Sequence, residues 1–216
     1  PRPFFRANYG IEPPLFTRLA NEQRAAGQPL RRELGITQPR VLLYVGRLVP
    51  VKDVPVLLRA FESVAGALPD VALVLIGTGP LKSEFEALAQ RLDGRVYLPG
   101  FMQPERVAQM LGAADAFVLP SRIEPWGLVV NEAMAAGLPI VASDQVGAAR
   151  DLVIPGKTGE VFPVGDADAL AAALLRVLEA LLDWEQRYDI VRVVDQALQF
   201  VLSTPGVESA PAGSGA

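Results

Sequence analysis

The feature that most constrains this chain is a regular alternation. Six short apolar runs, RVLLYV (40–45), VALVLI (71–76), RVYL (95–98), AFVL (116–119), PIVA (139–142) and EVFPV (160–164), are separated by stretches of different period. Continuous apolar runs of this length predict strands covered on both faces. Between the first two, Val54, Leu57, Leu58, Phe61 and Val64 recur at three- and four-residue spacing up to Pro69, the mark of an amphipathic helix. Leu81, Phe85, Leu88 and Leu92 repeat the pattern, as do Leu170, Leu174, Val177 and Leu181. Strand–helix alternation predicts an α/β fold: a parallel sheet flanked by helices and joined by right-handed crossovers.

The ends read differently. Residues 1–39 hold six prolines and no sustained period, which predicts a connecting segment wrapping the surface before a domain over 40–182. Trp184, Tyr188, Val191, Val194, Leu198 and Val201 predict a further helix over 183–202, and STPGVESAPAGSGA (203–216) has the composition of a disordered tail.

Composition narrows the chemistry. Half of the 216 residues are hydrophobic, enough for one good core. A net charge of -4 with interspersed signs argues against a nucleic-acid partner. The chain has neither cysteine nor histidine, which removes disulfides, thiolate nucleophiles, the usual zinc ligands and an imidazole base. No run approaches the ~20 apolar residues of a membrane span and PRPFFRANYG lacks a signal-peptide core, so a cytoplasmic location is expected. The first residue is not Met, consistent with a fragment or a processed form.

In parallel sheets ligands bind beyond the carboxyl ends of the strands. The residues there are Gly46-Arg47, Gly77-Thr78-Gly79, Pro99-Gly100-Phe101, Pro120-Ser121 and Ser143-Asp144. Gly77 and Gly79 read first as turn residues. The segment GRLVPVKD puts Arg47 and Lys52 near a helix N-terminus, where two cations and free N–H groups could hold a diphosphate without metal; by themselves they read better as solvated loop residues. Neither a G-x-G-x-x-G nor a P-loop follows the first strand. The stretch SRIEPWGLVVNEAMAAGLP (121–139) predicts a loop and then a helix from Gly127 or Leu128 to Ala136, with Glu124 in the loop, Glu132 in the early turns and uncapped N–H groups at Gly127 and Leu128. Helix-dipole placement is a sufficient reason for Glu132 but not for Glu124. Trp126 either walls a sugar pocket or staples the turn to the core, the staple being favoured, and Asp144 is placed to cap VGAARDLV.

Taken in order, GRLVPVKDVPVLLRAF, LIGTGP, LPGF, ADAFVLPSRIEPWGLVVNEAMAAGLPIVASDQVG and GKTGEVFPVGD resemble the retaining glycosyltransferases of family 4, which share the GT-B architecture with glycogen synthases. The resemblance covers residues 40 to about 180 and implies a Rossmann-like domain, one half of a GT-B enzyme. It implies that Arg47 and Lys52 bind the diphosphate of a UDP-, GDP- or ADP-sugar donor, assisted by Gly46 and by the backbone of Gly127 and Leu128. By the same resemblance Glu132 receives the ribose hydroxyls, Glu124 faces the donor sugar, and the loop of Gly100 and Phe101 lies against the base. Arg47, Lys52 and Glu124 are then the catalytic set, Trp126 is counted among the candidate substrate-binding residues, and no metal is required.

The resemblance further implies an N-terminal acceptor-binding domain, in cis or in trans, with YGIEPPLF (9–16) standing near the junction. Without that domain the chain is expected to bind donor and not to transfer. Two alternatives stay open: a standalone nucleotide-sugar-binding module or pseudoenzyme, and a GT-B relative such as a sugar-nucleotide epimerase or a phosphorylase, although Lys157 in PGKTGE reads better as a turn than as a pyridoxal phosphate lysine. Replacing Glu124 is expected to leave nucleoside diphosphate affinity nearly unchanged, and replacing Glu132 to weaken it.

Overall fold

The computed structural model describes residues 13–92 and 94–181. Six strands, β1 (Arg40–Val45), β2 (Val71–Ile76), β3 (Val96–Gly100), β4 (Ala116–Leu119), β5 (Ile140–Ser143) and β6 (Gly159–Phe162), form one sheet in the order β3-β2-β1-β4-β5-β6. Every pairing is parallel, with Arg40–Val45 facing Val71–Ile76 residue for residue and Leu42 opposite Ala116. The expected α/β sheet is therefore present. All residues of β2, β4 and β5 are buried, as strands covered on both faces must be.

Among the described residues eight α-helices surround it: α1 (Pro13–Ala25), α2 (Pro29–Glu33), α3 (Val54–Ala67), α4 (Lys82–Ala89), α5 (Pro104–Ala113), α6 (Leu128–Ala135), α7 (Gly147–Leu152) and α8 (Ala167–Ala180). Their main contacts form two groups, α3 with α4 and α8, and α5 with α1 and α2, α1 also touching α6. The periodic residues Val54, Leu57, Leu58, Phe61 and Val64 of α3 are all buried.

The amino-terminal part departs from expectation. Where residues 1–39 predict a surface-wrapping connector, Pro13–Ala25 and Pro29–Glu33 are helical and place Phe16, Leu19, Ala20, Leu30 and Ile36 in the common core. The apolar stripe of α1 is only one turn deep, and Arg31 of α2 is buried by hydrogen bonding instead of by hydrophobicity, so neither helix shows in a period count. The helix expected over 183–202 and the tail beyond it lie outside the described residues. No helix among the described residues is long and apolar enough to cross a membrane.

Candidate active site

Chain reversal of the sheet occurs between β1 and β4, which lie side by side although the strands on β1's other flank are built first. Loops leaving two such strands diverge and leave a crevice at the carboxyl edge. Both stretches singled out in the sequence, Gly46–Asp53 and Pro120–Gly127, are these loops.

Beyond β1, Gly46 and Arg47 open into a cleft of about 320 Å³ shared with Gly77, Thr78, Gly79, Phe101 and Met102. Its floor exists because backbones touch. A Cβ on Gly77, whose φ is +140°, would fall 1.9 Å from the carbonyl oxygen of Gly46, so this turn needs glycine for close approach. The Gly77 N–H donates to the Gly100 carbonyl at 2.8 Å, which holds the β3 loop over the cleft with Phe101 66% exposed beside it. Arg47 is exposed at the rim, and its guanidinium makes no hydrogen bond or ion pair with the described residues.

Tyr44 was not anticipated as a site residue, being one apolar letter among six in RVLLYV. It is wholly buried, and its hydroxyl donates to the Arg47 carbonyl at 2.9 Å, propping the turn from beneath. Burial pushes the Tyr44 phenol well above its ordinary range, and the charge of Glu124 pushes it the same way.

The remainder of the β1 loop is a 3-10 turn, Pro50–Lys52, followed by Asp53 in the left-handed region at φ 48°, a conformation that aspartate tolerates better than most residues. Three contacts tie this turn to the β4 loop. The Arg122 N–H donates to the Val51 carbonyl at 2.8 Å. Arg122 Nε lies 3.0 Å from Asp53 Oδ2, close enough for an ion pair though not aligned as a hydrogen bond. Lys52 Nζ donates to Glu124 Oε2, with both side chains mostly buried.

This last contact is the main departure from the expected division of labour. The resemblance implies the diphosphate for Lys52 and the sugar for Glu124; in the structure the two side chains hold each other. Glu124 is fixed through its backbone, since its N–H donates to Gln145 and its carbonyl accepts from Gly147. Gly127 then turns the chain into α6 at φ 94°, and a Cβ there would meet Glu124 Cγ at 3.2 Å and the Leu119 and Val146 side chains at 3.3 Å. No side chain caps α6, so the N–H groups of Leu128 and Val129 are left for solvent or an anion, while that of Val130 donates to the Gly127 carbonyl at 2.8 Å.

The structure thus gathers Gly46, Arg47 and Phe101 around one cleft, with Gly100 behind it, and links Lys52, Glu124 and Gly127 beside it. Glu132, one turn into α6, is half-buried without a side-chain hydrogen bond to the described residues, and burial pushes its carboxyl above the usual carboxylate range. Trp126 packs partly on the core and donates from Nε1 to Asn131 Oδ1 at 3.0 Å, as a staple would. Asp144 does not cap α7: its Oδ1 accepts from the Val164 N–H at 3.2 Å, twenty residues on, because β6 runs next to β5 and brings Val164 to it. Among the described residues no group of three or more acidic side chains could hold a metal ion.

A fold and a crevice of this kind agree with the matches to known proteins. Residues 28–191 match the family model for glycosyl transferases group 1, and the chain belongs to that family. It is 34% identical over 152 residues to an alpha-D-kanosaminyltransferase of Streptomyces kanamyceticus, covering 69% of this chain and 39% of that protein. A GDP-mannose-dependent monoacylated alpha-(1-6)-phosphatidylinositol monomannoside mannosyltransferase of Corynebacterium glutamicum is 32% identical over 178 residues, or 79% of this chain and 45% of its own length. The chain therefore spans less than half of either relative. Among solved structures, Anabaena Alr3699/HepE in complex with UDP and glucose superposes with a TM-score of 0.64 at 26% identity, over 91% of this chain and 55% of the other.

Proposed function

We propose that this chain is the donor-binding half of a retaining glycosyltransferase that takes a nucleoside diphosphate sugar. The observation that carries the reading is the unpaired Arg47 guanidinium at the rim of the switch-point cleft, beside Lys52 and the uncapped start of α6. Breaking a glycosidic bond to a diphosphate puts negative charge on the leaving oxygen. Cations and amides already in place stabilise that charge without reorganising. The base is assigned to the cleft under Phe101, the diphosphate to Arg47, Lys52 and the backbone at Gly127 and Leu128, the ribose to Glu132 and the sugar to the Glu124 side. Relatives whose names specify a GDP-mannose donor, and a neighbour holding UDP and glucose, support a nucleotide donor and favour transfer over epimerisation.

The acceptor is assigned to a second domain, in cis or in trans. Four of the five exposed large hydrophobics among the described residues, Val51, Phe101, Ile123 and Leu128, belong to loops or a helix start at the sheet's carboxyl edge, where such a domain would face the donor. The test is calorimetric titration with UDP, GDP and ADP and their sugar esters. One nucleotide is expected to bind saturably, and Arg47→Ala with Lys52→Ala to weaken it by about a hundredfold or more, two charge-assisted contacts being lost. A folded protein that binds none of them would overturn the reading.

A further inference from the structure

The Lys52–Glu124 contact joins two side chains that the proposed function assigns to different parts of one ligand. Both are largely withdrawn from solvent, at 21% and 15% exposed, so the contact is not a loose surface pair. Arg47, by contrast, is exposed and unpaired. Among the described residues, the crevice therefore presents Arg47 as a free cation and Lys52 as one already neutralised by a carboxylate. The backbone of Glu124 is bonded on both sides, to Gln145 and Gly147, so any exchange of partners is made by its side chain alone.

Resting on the donor-binding reading, we propose that Glu124 is a specificity-determining latch that makes the diphosphate site select sugar esters over the bare nucleoside diphosphate. A phosphate group entering beside Lys52 draws that ammonium toward itself and loosens its contact with Glu124. If a sugar is attached, its hydroxyls donate to the released carboxylate and replace the lost contact. If the phosphate is terminal, nothing replaces it, and an unpaired carboxylate is left facing an anion. The terminal phosphate also has a second ionisation near pH 6, so the bare diphosphate carries more negative charge at neutral pH than its ester does. The two effects act in the same direction. After transfer the sugar leaves Glu124, the carboxylate reclaims Lys52, and the product is expelled by the group that helped to seat the donor. The contact thereby links donor selection to product release.

The experiment titrates the full chain at neutral pH with UDP and UDP-glucose, and with GDP and GDP-mannose, comparing wild type with Glu124→Gln, Lys52→Gln and the double variant. Glutamine keeps the shape and leaves the backbone bonds of residue 124 intact; circular dichroism and melting confirm folding. For the nucleotide that wild type binds, Glu124→Gln is expected to bind the bare diphosphate about three- to tenfold more tightly and the ester less tightly. The gain should shrink when Lys52 is also replaced, since the variant then has no ammonium to free. If wild type binds nucleotide but Glu124→Gln shifts both ligands equally, or weakens the bare diphosphate, the latch is wrong and the donor site stands. Should Glu124→Gln not fold, Lys52→Gln still decides: it must reduce the preference for ester over bare diphosphate, and an unchanged preference overturns the proposal. If folded wild type binds no nucleotide, the donor-site reading fails and the latch falls with it.

Discussion

The sheet carries an ion pair at each end, and the two are built differently. At the amino edge, Arg31 donates from Nε to the Ala113 carbonyl at 2.5 Å, from Nη1 to Pro39 at 2.6 Å and from Nη2 to Asp115 Oδ2 at 2.7 Å. The same Oδ2 accepts the Val41 N–H at 2.7 Å. This network fastens α2 to the starts of β1 and β4 and spends its donors on fixed partners. At the carboxyl edge, among the described residues, Lys52 and Glu124 have one side-chain hydrogen bond, to each other, and no further one from either. A saturated pair is structural. A pair with unused hydrogen-bonding capacity, placed at a crevice, is free to exchange partners. Burial alone does not separate the two cases; the count of satisfied groups does.

The contrast can be broken by substitution. Arg31→Leu is expected to have the largest effect on stability, about 3–5 kcal/mol, because it strands a half-buried carboxylate and two carbonyls. Chemical denaturation should show it, and a loss below 1 kcal/mol would mean that the amino-edge network is not structural. Gly127→Ala comes next, at about 1–2 kcal/mol, the cost of a left-handed residue with a Cβ, and it should also weaken nucleotide binding by pressing on Glu124. Unchanged binding would separate the turn from the site.

Glu132→Gln is expected to have the smallest effect on stability, and the opposite sign. Burial raises the folded carboxyl above its ordinary value of 4.5, so the folded state holds this proton more tightly than the unfolded state does. The associated stability is full below the ordinary Glu range and is lost as pH rises through the folded value. Glutamine never ionises. The variant should therefore melt higher than wild type at neutral pH, with the two curves converging on acidification, while it binds nucleotide more weakly. A variant that melts lower at neutral pH would show that the carboxylate has a stabilising partner.

Much of this could be read from residues alone. The strands β1, β2 and β4 match their apolar runs residue for residue, because a strand buried on both faces leaves no polar letter inside it. Strands β3, β5 and β6 shift by one or two residues, because pairing with the neighbouring strand, and not the apolar run alone, sets where each begins and ends. Helix α5 is absent from the sequence reading, since Ala108, Gly112 and Ala113, half of what it buries beside Val107, Met110 and Leu111, are small residues that a hydrophobic pattern undervalues, and α7 enters it only as the segment that Asp144 would cap. Of the site, Gly46, Arg47, Lys52, Glu124 and Gly127 were legible from spacing and resemblance. Tyr44, Asp53 and Arg122 were not, because each acts on the backbone or on the neighbouring loop.

The sequence by itself determined the order of strands and helices, and with it which loops emerge at the carboxyl edge, because apolar periodicity and turn residues are local properties. Only the tertiary structure decided what those loops do to one another. Lys52 and Glu124 lie 72 positions apart, and nothing local to either encodes their contact. It exists because β4 pairs with β1, a non-local choice made by packing, and that choice sets the charge with which the crevice meets its ligand.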